Sequence, residues 1–205
     1  MELEIIHPDR HVVPVPHAPR TPSEAAAWAT DTARAHAAAS GASPALAARI
    51  ERALADLVQR TDPSATLMLV VSGDGHALAP LRITVTDEAL SREGQAELLW
   101  SPSAVLPPTA QETETAFLGT GFSVTLLEQA DGALYATRRW VFLGEGAAIA
   151  VVLGPVAPLA LALVEDVAEV VLAGSRLDGF VPIADRTRID ELHAATIRSG
   201  EAWAL

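Results

Sequence analysis

The sequence contains no cysteine, no lysine and no asparagine in its 205 residues. Without cysteine the chain can form no disulfide, no thiolate nucleophile and no cysteine-ligated zinc site. Without lysine it cannot form the phosphate-binding loop that requires one. Lysine and asparagine have AT-rich codons, so their absence indicates a GC-rich bacterial genome. The use of arginine for all 14 basic residues is therefore no sign of selection for phosphate binding.

Positive charge and long apolar runs are also scarce. The formal net charge is −12, which disfavours nucleic acid and anionic membranes as partners and favours solubility or a basic protein partner. The longest apolar runs, Ala147–Leu153 and Val156–Val164, are too short to span a bilayer. Residues 1–10 show no signal peptide. We expect a cytoplasmic protein with no membrane insertion and no nucleic-acid partner.

What is present suffices for the core of a single compact domain, because half of the residues are hydrophobic. Residues 1–20 form a proline-rich arm, with a short strand at Leu3–Ile6 that we expect to pair at a sheet edge, followed by an extended strap. Residues 21–62 form a helical hairpin, packed on or appended to the core. Residues 63–205 form an α+β core domain.

Two capping patterns predict the hairpin. Thr21–Glu24 combines a capping threonine, a proline at the first helical position and a glutamate that can reach back, and Gly41 should end this helix after about Ala39. Ser43 repeats the pattern before a second helix over Ala45–Arg60. The apolar positions of the second helix share one face: Leu46, Ile50, Leu54, Leu57 and Val58.

The most informative stretch is a meander of strands followed by a helix, over residues 120–177. Strands are predicted at Phe122–Glu128, Leu134–Leu143 and Ala147–Leu153. The last is nearly all apolar and should be central, with both faces covered. Pro158 begins an amphipathic helix that runs to about Ala173 and lies on the sheet. Its apolar positions fall close to one stripe: Leu159, Leu163, Val167, Val170 and Val171.

The remaining elements complete an α+β fold: an antiparallel sheet of about five to seven strands with helices packed on it, preceded by the N-terminal helical hairpin. They are strands at Leu67–Val71 and Leu81–Val85, a helix at Thr86–Trp100, a connection with one edge strand at Ser101–Gly119, a loop at Arg176–Ile183 and a last helix from Thr187 to Gly200.

No residue pattern indicates catalysis, a cofactor or a metal. Three histidines lie in the arm: His7, His11 and His17. The prolines around them oppose the helical spacing of a zinc site. The other histidines are interpreted as structural: His36, His76 and His193. Gly119–Gly121 and Gly144–Gly146 lack the third glycine and the following helix of a phosphate loop. Ser123 lacks the second glycine of a nucleophile elbow.

Arg138-Arg139-Trp140 is the most unusual local sequence. In a strand, Arg138 and Trp140 share one face and Arg139 takes the other. Arg138 then stacks on Trp140 or pairs with a carboxylate under the helix, or this face contacts a partner. If this face contacts a partner, the candidate partner-binding residues are Arg138, Trp140 and Phe142.

One resemblance covers roughly residues 114–177. Leu134–Phe142 alternates aromatic residues with arginine and leads through a glycine turn to the apolar strand Ala147–Leu153. A helix ending in Leu172–Leu177 follows. This order resembles the C-terminal part of PsbP-like α/β sandwich proteins, including small actinobacterial proteins. The resemblance implies a mostly non-enzymatic binding, assembly or secretion-associated protein, and no catalytic residue can be carried over.

These observations favour a soluble, non-enzymatic protein-interaction module that binds another protein or itself, as an accessory or chaperone-like component of a larger, secretion-type assembly. Two alternatives stay open: a small-ligand-binding protein or enzyme with a site built from scattered residues, and a structural subunit that oligomerises through the hairpin. An enclosed cavity with converging His, Asp or Arg side chains would favour the first alternative. A flat apolar patch near Trp140 would favour the interaction module.

Overall fold

The structure is a computed structural model that describes residues 2–17, 21–88, 92–106 and 108–183. The helix predicted between Thr187 and Gly200, with His193, lies outside the described residues. Within them the chain forms, in order, β1 (Leu3–Ile5), β2 (Val12–Val15), α1 (Pro22–Ser40), α2 (Pro44–Gln59), β3 (Ala65–Val71), β4 (Leu78–Thr86), α3 (Arg92–Leu99), β5 (Gln111–Thr115), β6 (Gly119–Ala130), β7 (Ala133–Leu143), β8 (Ala148–Val156), α4 (Pro158–Ala173) and β9 (Ser175–Leu177).

Seven strands form one antiparallel sheet in the order β2-β3-β4-β8-β7-β6-β5. Helix α4 packs on one face, over β3, β4, β7 and β8. On the opposite face, α1 and α2 pack over β2 and β3, and α3 packs over β6 and β7. The predicted α+β class, with an N-terminal hairpin and helices on an antiparallel sheet, is confirmed.

Strand β8 is the central strand, as its apolar sequence predicts, and it lies between β4 and β7. Ile149, Val151 and Leu153 are buried under α4. On the other face, Ala150 and Val152 are only half-buried, because they lie between the hairpin and α3. The prediction that both faces are covered is therefore confirmed for the α4 face, and the other face is covered in part.

The hairpin follows its capping residues closely. The Thr21 hydroxyl accepts from the Glu24 N–H at 3.3 Å, and the Glu24 carboxylate accepts from the Thr21 N–H at 2.8 Å, which completes the predicted capping box. Gly41 ends α1 in the left-handed region (φ 73°), where a side chain would be strained. The predicted face of α2 is confirmed: Ile50, Leu54 and Val58 are buried, and Leu46 and Leu57 are partly buried.

The arm contains a sheet strand that the proline-rich sequence concealed. Residues Val12–Val15, predicted as part of a strap, pair with β3 at the edge of the main sheet. An edge strand tolerates Pro14 because one side of it needs no hydrogen-bond partner. The first strand, β1, pairs with β9 outside the main sheet. The predicted loop from Arg176 therefore begins as a strand, which the short Ser175–Leu177 sequence did not signal.

The middle of the chain is less helical than predicted. Strand β4 continues to Thr86, and α3 occupies Arg92–Leu99 within the predicted Thr86–Trp100 helix. Thr84, Val85 and Thr86 pair with β8, and β-branched residues favour a pleated strand over a helix. The edge strand predicted in the following connection is confirmed as β5.

Helix α4 has the predicted bounds, but it buries a different face. Its buried residues are Leu161, Val164, Ala168, Val171 and Leu172. Of the stripe predicted from the sequence, only Val171 belongs to this set, and Val167 is half-buried. Three residues of that stripe face away from the sheet: Leu159, Leu163 and Val170.

Candidate functional site

Arg138 lies on β7 beneath α4 and is 9% exposed. Its guanidinium group is held by three polar side chains from the neighbouring strands. Nη1 donates to the Thr125 hydroxyl at 3.0 Å, and Nη2 donates to the Ser123 hydroxyl at 2.9 Å and to the Gln111 side-chain oxygen at 3.3 Å. These contacts replace much of the hydration that the buried cation loses.

Two further contacts join Arg138 to α4 and to the core. Its Nε atom lies 3.0 Å from Oε1 of Glu165, which projects from α4. The Nε–H bond is not aligned with that oxygen, so the contact is an ion pair without a hydrogen bond. The guanidinium carbon lies 5.7 Å from the centroid of the Trp140 ring. Stacking on Trp140 and pairing with a carboxylate of the helix are thus both confirmed.

The other candidate partner-binding residues belong to the core. Trp140 and Phe142 are 1% and 0% exposed and pack in the cluster beneath α4. Arg138 lines an open depression of about 270 Å³. The rest of its lining is Leu106, Thr109, Gln111, Thr125 and Leu127. The structure therefore brings the three residues together and turns them inwards.

Arg139 takes the opposite face of β7, as the strand period predicts. Its Nη1 donates to the carbonyl of Trp100 at 3.2 Å. Burial lowers the pKa of Arg139, and the negative charge of Glu128 partly offsets this lowering. Glu128 accepts hydrogen bonds from the hydroxyls of Ser101 and Ser103. Arg139 and Glu128 together therefore hold the segment Trp100–Ser103, which precedes β5, against the sheet.

The outer face of α4 carries an apolar stripe that belongs to none of the buried core clusters. Leu159, Leu163 and Val170 are 76%, 39% and 55% exposed. At about 100° per residue these positions fall within a sector of about 40° on the helix surface. A helix with apolar residues on both its inner and its outer face is usually covered by other protein surfaces on both faces. The sequence predicts this stripe as the face of α4 that packs on the sheet, and that orientation is wrong.

Acidic residues flank the apolar stripe. Asp166 and Glu169 are exposed on α4, next to the stripe on the side of the Arg138 pocket. Glu165 lies nearer the sheet and is engaged by Arg138. The outer surface of α4 therefore combines exposed aliphatic groups with negative charge.

The three arm histidines do not converge. His7 Nδ1 lies 3.5 Å from a carboxylate oxygen of Asp9. The pKa of Asp62 is lowered chiefly by hydrogen bonds from Ser64, and the charges of Arg82 and His17 add smaller contributions. His11 instead lines a pocket with His36 of α1. Among the residues that the structure describes, no group of three or more His, Cys, Asp or Glu side chains is arranged to hold a metal ion.

His36 should make stability depend on pH. It is 8% exposed, and burial followed by repulsion from His11 lowers its pKa below the ordinary value of 6.5. Below pH 6.5 the unfolded chain therefore takes up a proton that folded His36 resists. The free energy of unfolding should fall as the pH drops from 6.5 to the folded pKa, by at most about 1.4 kcal/mol per pH unit for one group.

Urea unfolding at pH 7.5 and at a lower pH near 5.5 measures this effect, which lies in the window where imidazoles titrate. The variant His36→Gln should lose less stability between the two pH values than the wild type. His76→Gln, at an exposed turn position, is the matched control and should behave like the wild type. An unchanged pH dependence in His36→Gln would contradict the assignment.

Comparison with protein-family models, curated proteins and solved structures finds no significant match for this chain. The resemblance to PsbP-like proteins therefore stays a prediction. In the described part of the chain, no helix is long and apolar enough to cross a membrane. The function must be argued from the geometry of this molecule alone.

Proposed function

We propose that this protein is a non-enzymatic protein-interaction module whose contact surface is the outer face of α4. The observation that carries the proposal is the exposure of Leu159, Leu163 and Val170 in one stripe, on a helix whose opposite face is fully buried. Single exposed apolar residues are ordinary, whereas a contiguous apolar surface bordered by charge is typical of an interface. Ile6, which is 67% exposed, lies at the end of α4, where its N–H donates to the Gly174 carbonyl.

The charge around the stripe favours a basic partner. Asp166 and Glu169 border it, and the chain as a whole carries a net charge of −12. Complementary charge speeds association and selects the partner. A second copy of this chain fits less well, because a two-fold axis near the middle of α4 would place each Asp166 opposite its own copy. The occupant we propose is an amphipathic helix with an apolar stripe flanked by arginine or lysine.

The buried site explains how α4 could be held ready for such a partner. Trp140 and Phe142 pack beneath it, and the Glu165–Arg138 ion pair ties its side to β7. A helix fixed on its inner face loses little conformational freedom when its outer face is covered. Arg138 and Trp140 therefore serve the interaction by positioning α4, in a module that would act as an accessory component of a larger assembly.

A panel of labelled peptides tests the proposal by fluorescence anisotropy. One peptide of about five helical turns carries a leucine stripe flanked by arginines. A second has the arginines replaced by glutamate, and a third has the same composition with the leucines scattered around the helix. We expect the first peptide to bind, and its affinity to fall as salt is added.

Leu163→Glu should weaken binding of the basic peptide about tenfold or more, because it places a carboxylate inside an apolar contact. Leu134→Glu is the matched control, since Leu134 is 45% exposed and lies on β7 rather than on the outer face of α4, and it should bind like the wild type. Equal binding of all three peptides would contradict the proposal. So would a dimer in sedimentation velocity that Leu163→Glu dissociates while no peptide binds, since the occupant would then be a second copy.

A further inference from the structure

A second concave site lies on the other face of the sheet, where the arm, the helical hairpin and the β3–β4 turn meet. It is an open pocket of about 460 Å³. Arg10 and His11 line it from the arm, His36 and residues 40–43 from the hairpin, and residues 72–75 from the turn. Arg49 of α2 fixes the turn by donating to the carbonyls of Gly75 and His76 at 2.9 and 2.8 Å. The walls of the pocket are therefore tied together.

The pocket holds polar groups that lack a partner. His36 is 8% exposed and lines the pocket, yet its imidazole makes no hydrogen bond to any residue that the structure describes. His11 Nδ1 is completely buried and also has no hydrogen-bond partner. Because the His36 imidazole lines the pocket without a partner among the described residues, a group that enters the pocket can bind it. The buried Nδ1 of His11 adds an unsatisfied polar atom to the same wall, where buried polar groups are almost always hydrogen-bonded.

The surrounding groups specify the charge of that partner. Arg10 is exposed at the rim, and none of the described residues pairs with its guanidinium group. Helix α2 begins at Pro44, and the residues just before it line the pocket, so the positive end of its dipole lies at the rim. The hydroxyl of Ser43, which accepts from the Leu46 N–H at 3.2 Å, still has its own hydrogen to donate.

Two groups of the opposite sign also lie here. Helix α1 ends at the pocket, but its last turn is partly satisfied: the Gly41 and Ala42 N–H groups donate to the Ala37 carbonyl, and the Ser40 hydroxyl donates to the His36 carbonyl. Asp74 is exposed at the turn, where one carboxylate oxygen accepts from the Ser72 hydroxyl and the His76 N–H. An anion in this pocket must therefore be held by the guanidinium group of Arg10 and the Ser43 hydroxyl against these two negative groups.

We propose that this pocket binds a small oxyanionic group, a phosphate or a carboxylate, between Arg10, the two imidazoles of His11 and His36, and the start of α2. The anion accepts from the guanidinium group, from the Ser43 hydroxyl and from the imidazole N–H groups. No covalent step takes place. The site does not depend on the α4 surface, which lies on the opposite face of the sheet.

The test follows the amide signals of isotope-labelled protein by NMR during titration with inorganic phosphate, acetate, sulfate and chloride. We expect saturable shifts of the signals of residues 40–43 and 72–75 with an oxyanion, and none with chloride at equal ionic strength. Saturation by phosphate but not acetate assigns the phosphate class, and the reverse assigns the carboxylate class. No saturable change at these residues with any oxyanion would overturn the proposal.

Two variants locate the anion. Arg10→Gln, at an exposed position that should not affect folding, should weaken oxyanion binding about tenfold, as expected for the loss of a charge-assisted hydrogen bond. Arg34→Gln, on the exposed surface of α1 and outside the pocket lining, should leave it unchanged. Equal weakening by both variants would indicate a general charge effect and overturn the site.

The pH provides a readout that needs no substitution. The charged and titratable side chains that face His36 are Arg10, His11 and Asp74. Sulfate keeps its charge between pH 8 and about 5.5, whereas protonation of the His36 imidazole becomes more favourable as the pH falls and as an anion approaches it. Sulfate should therefore bind more tightly at the lower pH. Weaker or equal binding there would show that the imidazoles do not contact the anion.

Discussion

Replacing Trp140 by alanine should lower the free energy of unfolding by about 3–5 kcal/mol, the usual cost of truncating a large buried aromatic residue. Trp140 is 1% exposed and has the largest fully buried side chain of the described core. It lies between the sheet and α4, in the same cluster as Phe142, Leu161 and Val164. Its removal would leave a cavity beneath α4 and would take away the ring on which Arg138 lies.

Equilibrium unfolding in urea, followed by circular dichroism, measures this loss. Phe117→Ala is the matched control, because Phe117 is an aromatic residue that is 49% exposed, and its truncation should change stability by no more than about 0.5 kcal/mol. If Trp140→Ala cost no more than this control, the packing of α4 on β7 would not depend on the tryptophan, and the account of how α4 is held would be wrong.

Replacing Glu165 by leucine should lower the free energy of unfolding by about 2–3 kcal/mol, because it leaves the buried guanidinium group of Arg138 without its counter-charge. The value lies below the roughly 3–5 kcal/mol of fully buried pairs, since the Glu165 side chain is 30% exposed. The double variant Arg138→Met/Glu165→Leu should recover most of this loss. Replacing a whole buried ion pair with apolar side chains is often neutral.

The polar neighbours of Arg138 tolerate the double variant. Gln111 and Thr125 are exposed, so water can replace the guanidinium group there, and the Ser123 hydroxyl keeps a contact of 3.5 Å with the Gln111 carbonyl. Thermal and urea unfolding of the single and double variants form a double-mutant cycle. A double variant less stable than Glu165→Leu alone would show that Arg138 stabilises the sheet independently of α4, which contradicts its role as the tie to that helix.

The helical hairpin was the part of the fold most fully predictable from the sequence. Thr21, Glu24, Gly41 and Ser43 act through hydrogen bonds or backbone preferences within a few residues of their own positions, so their pattern is readable without the tertiary structure. The alternation and turns of the meander were predictable for the same reason. Strand β2 was not, because its pairing with β3 joins segments separated by the whole hairpin.

The orientation of α4 was the most consequential error. The helix has two apolar stripes, one through Leu159, Leu163 and Val170 and the other through Leu161, Val164 and Ala168. Periodicity alone cannot decide which of two such stripes faces the sheet. The decision comes from the sheet, where the Arg138 guanidinium group pairs with Glu165 and so fixes the rotation of the helix about its axis.

The candidate site was also predictable only in part from the sequence. The sequence singled out Arg138 and Trp140, but the residues that satisfy the guanidinium group come from β5, β6 and α4, far away in the chain. Arg138 and Trp140 face inwards because these side chains surround the guanidinium group. No pattern within the local sequence of β7 indicates that arrangement. The unpartnered His11 and His36 are likewise brought together only by the fold, although each was seen as a single histidine.

The most direct test of the central claim, that the outer face of α4 is a binding surface, is NMR mapping of the basic amphipathic peptide on isotope-labelled protein. The account predicts that the largest shift changes fall on Leu159, Leu163, Val170 and their neighbours on the outer face of α4, and that Leu163→Glu removes them. Shift changes confined to the His36 pocket or to the β6–β7 turn, with the α4 signals unmoved, would contradict it.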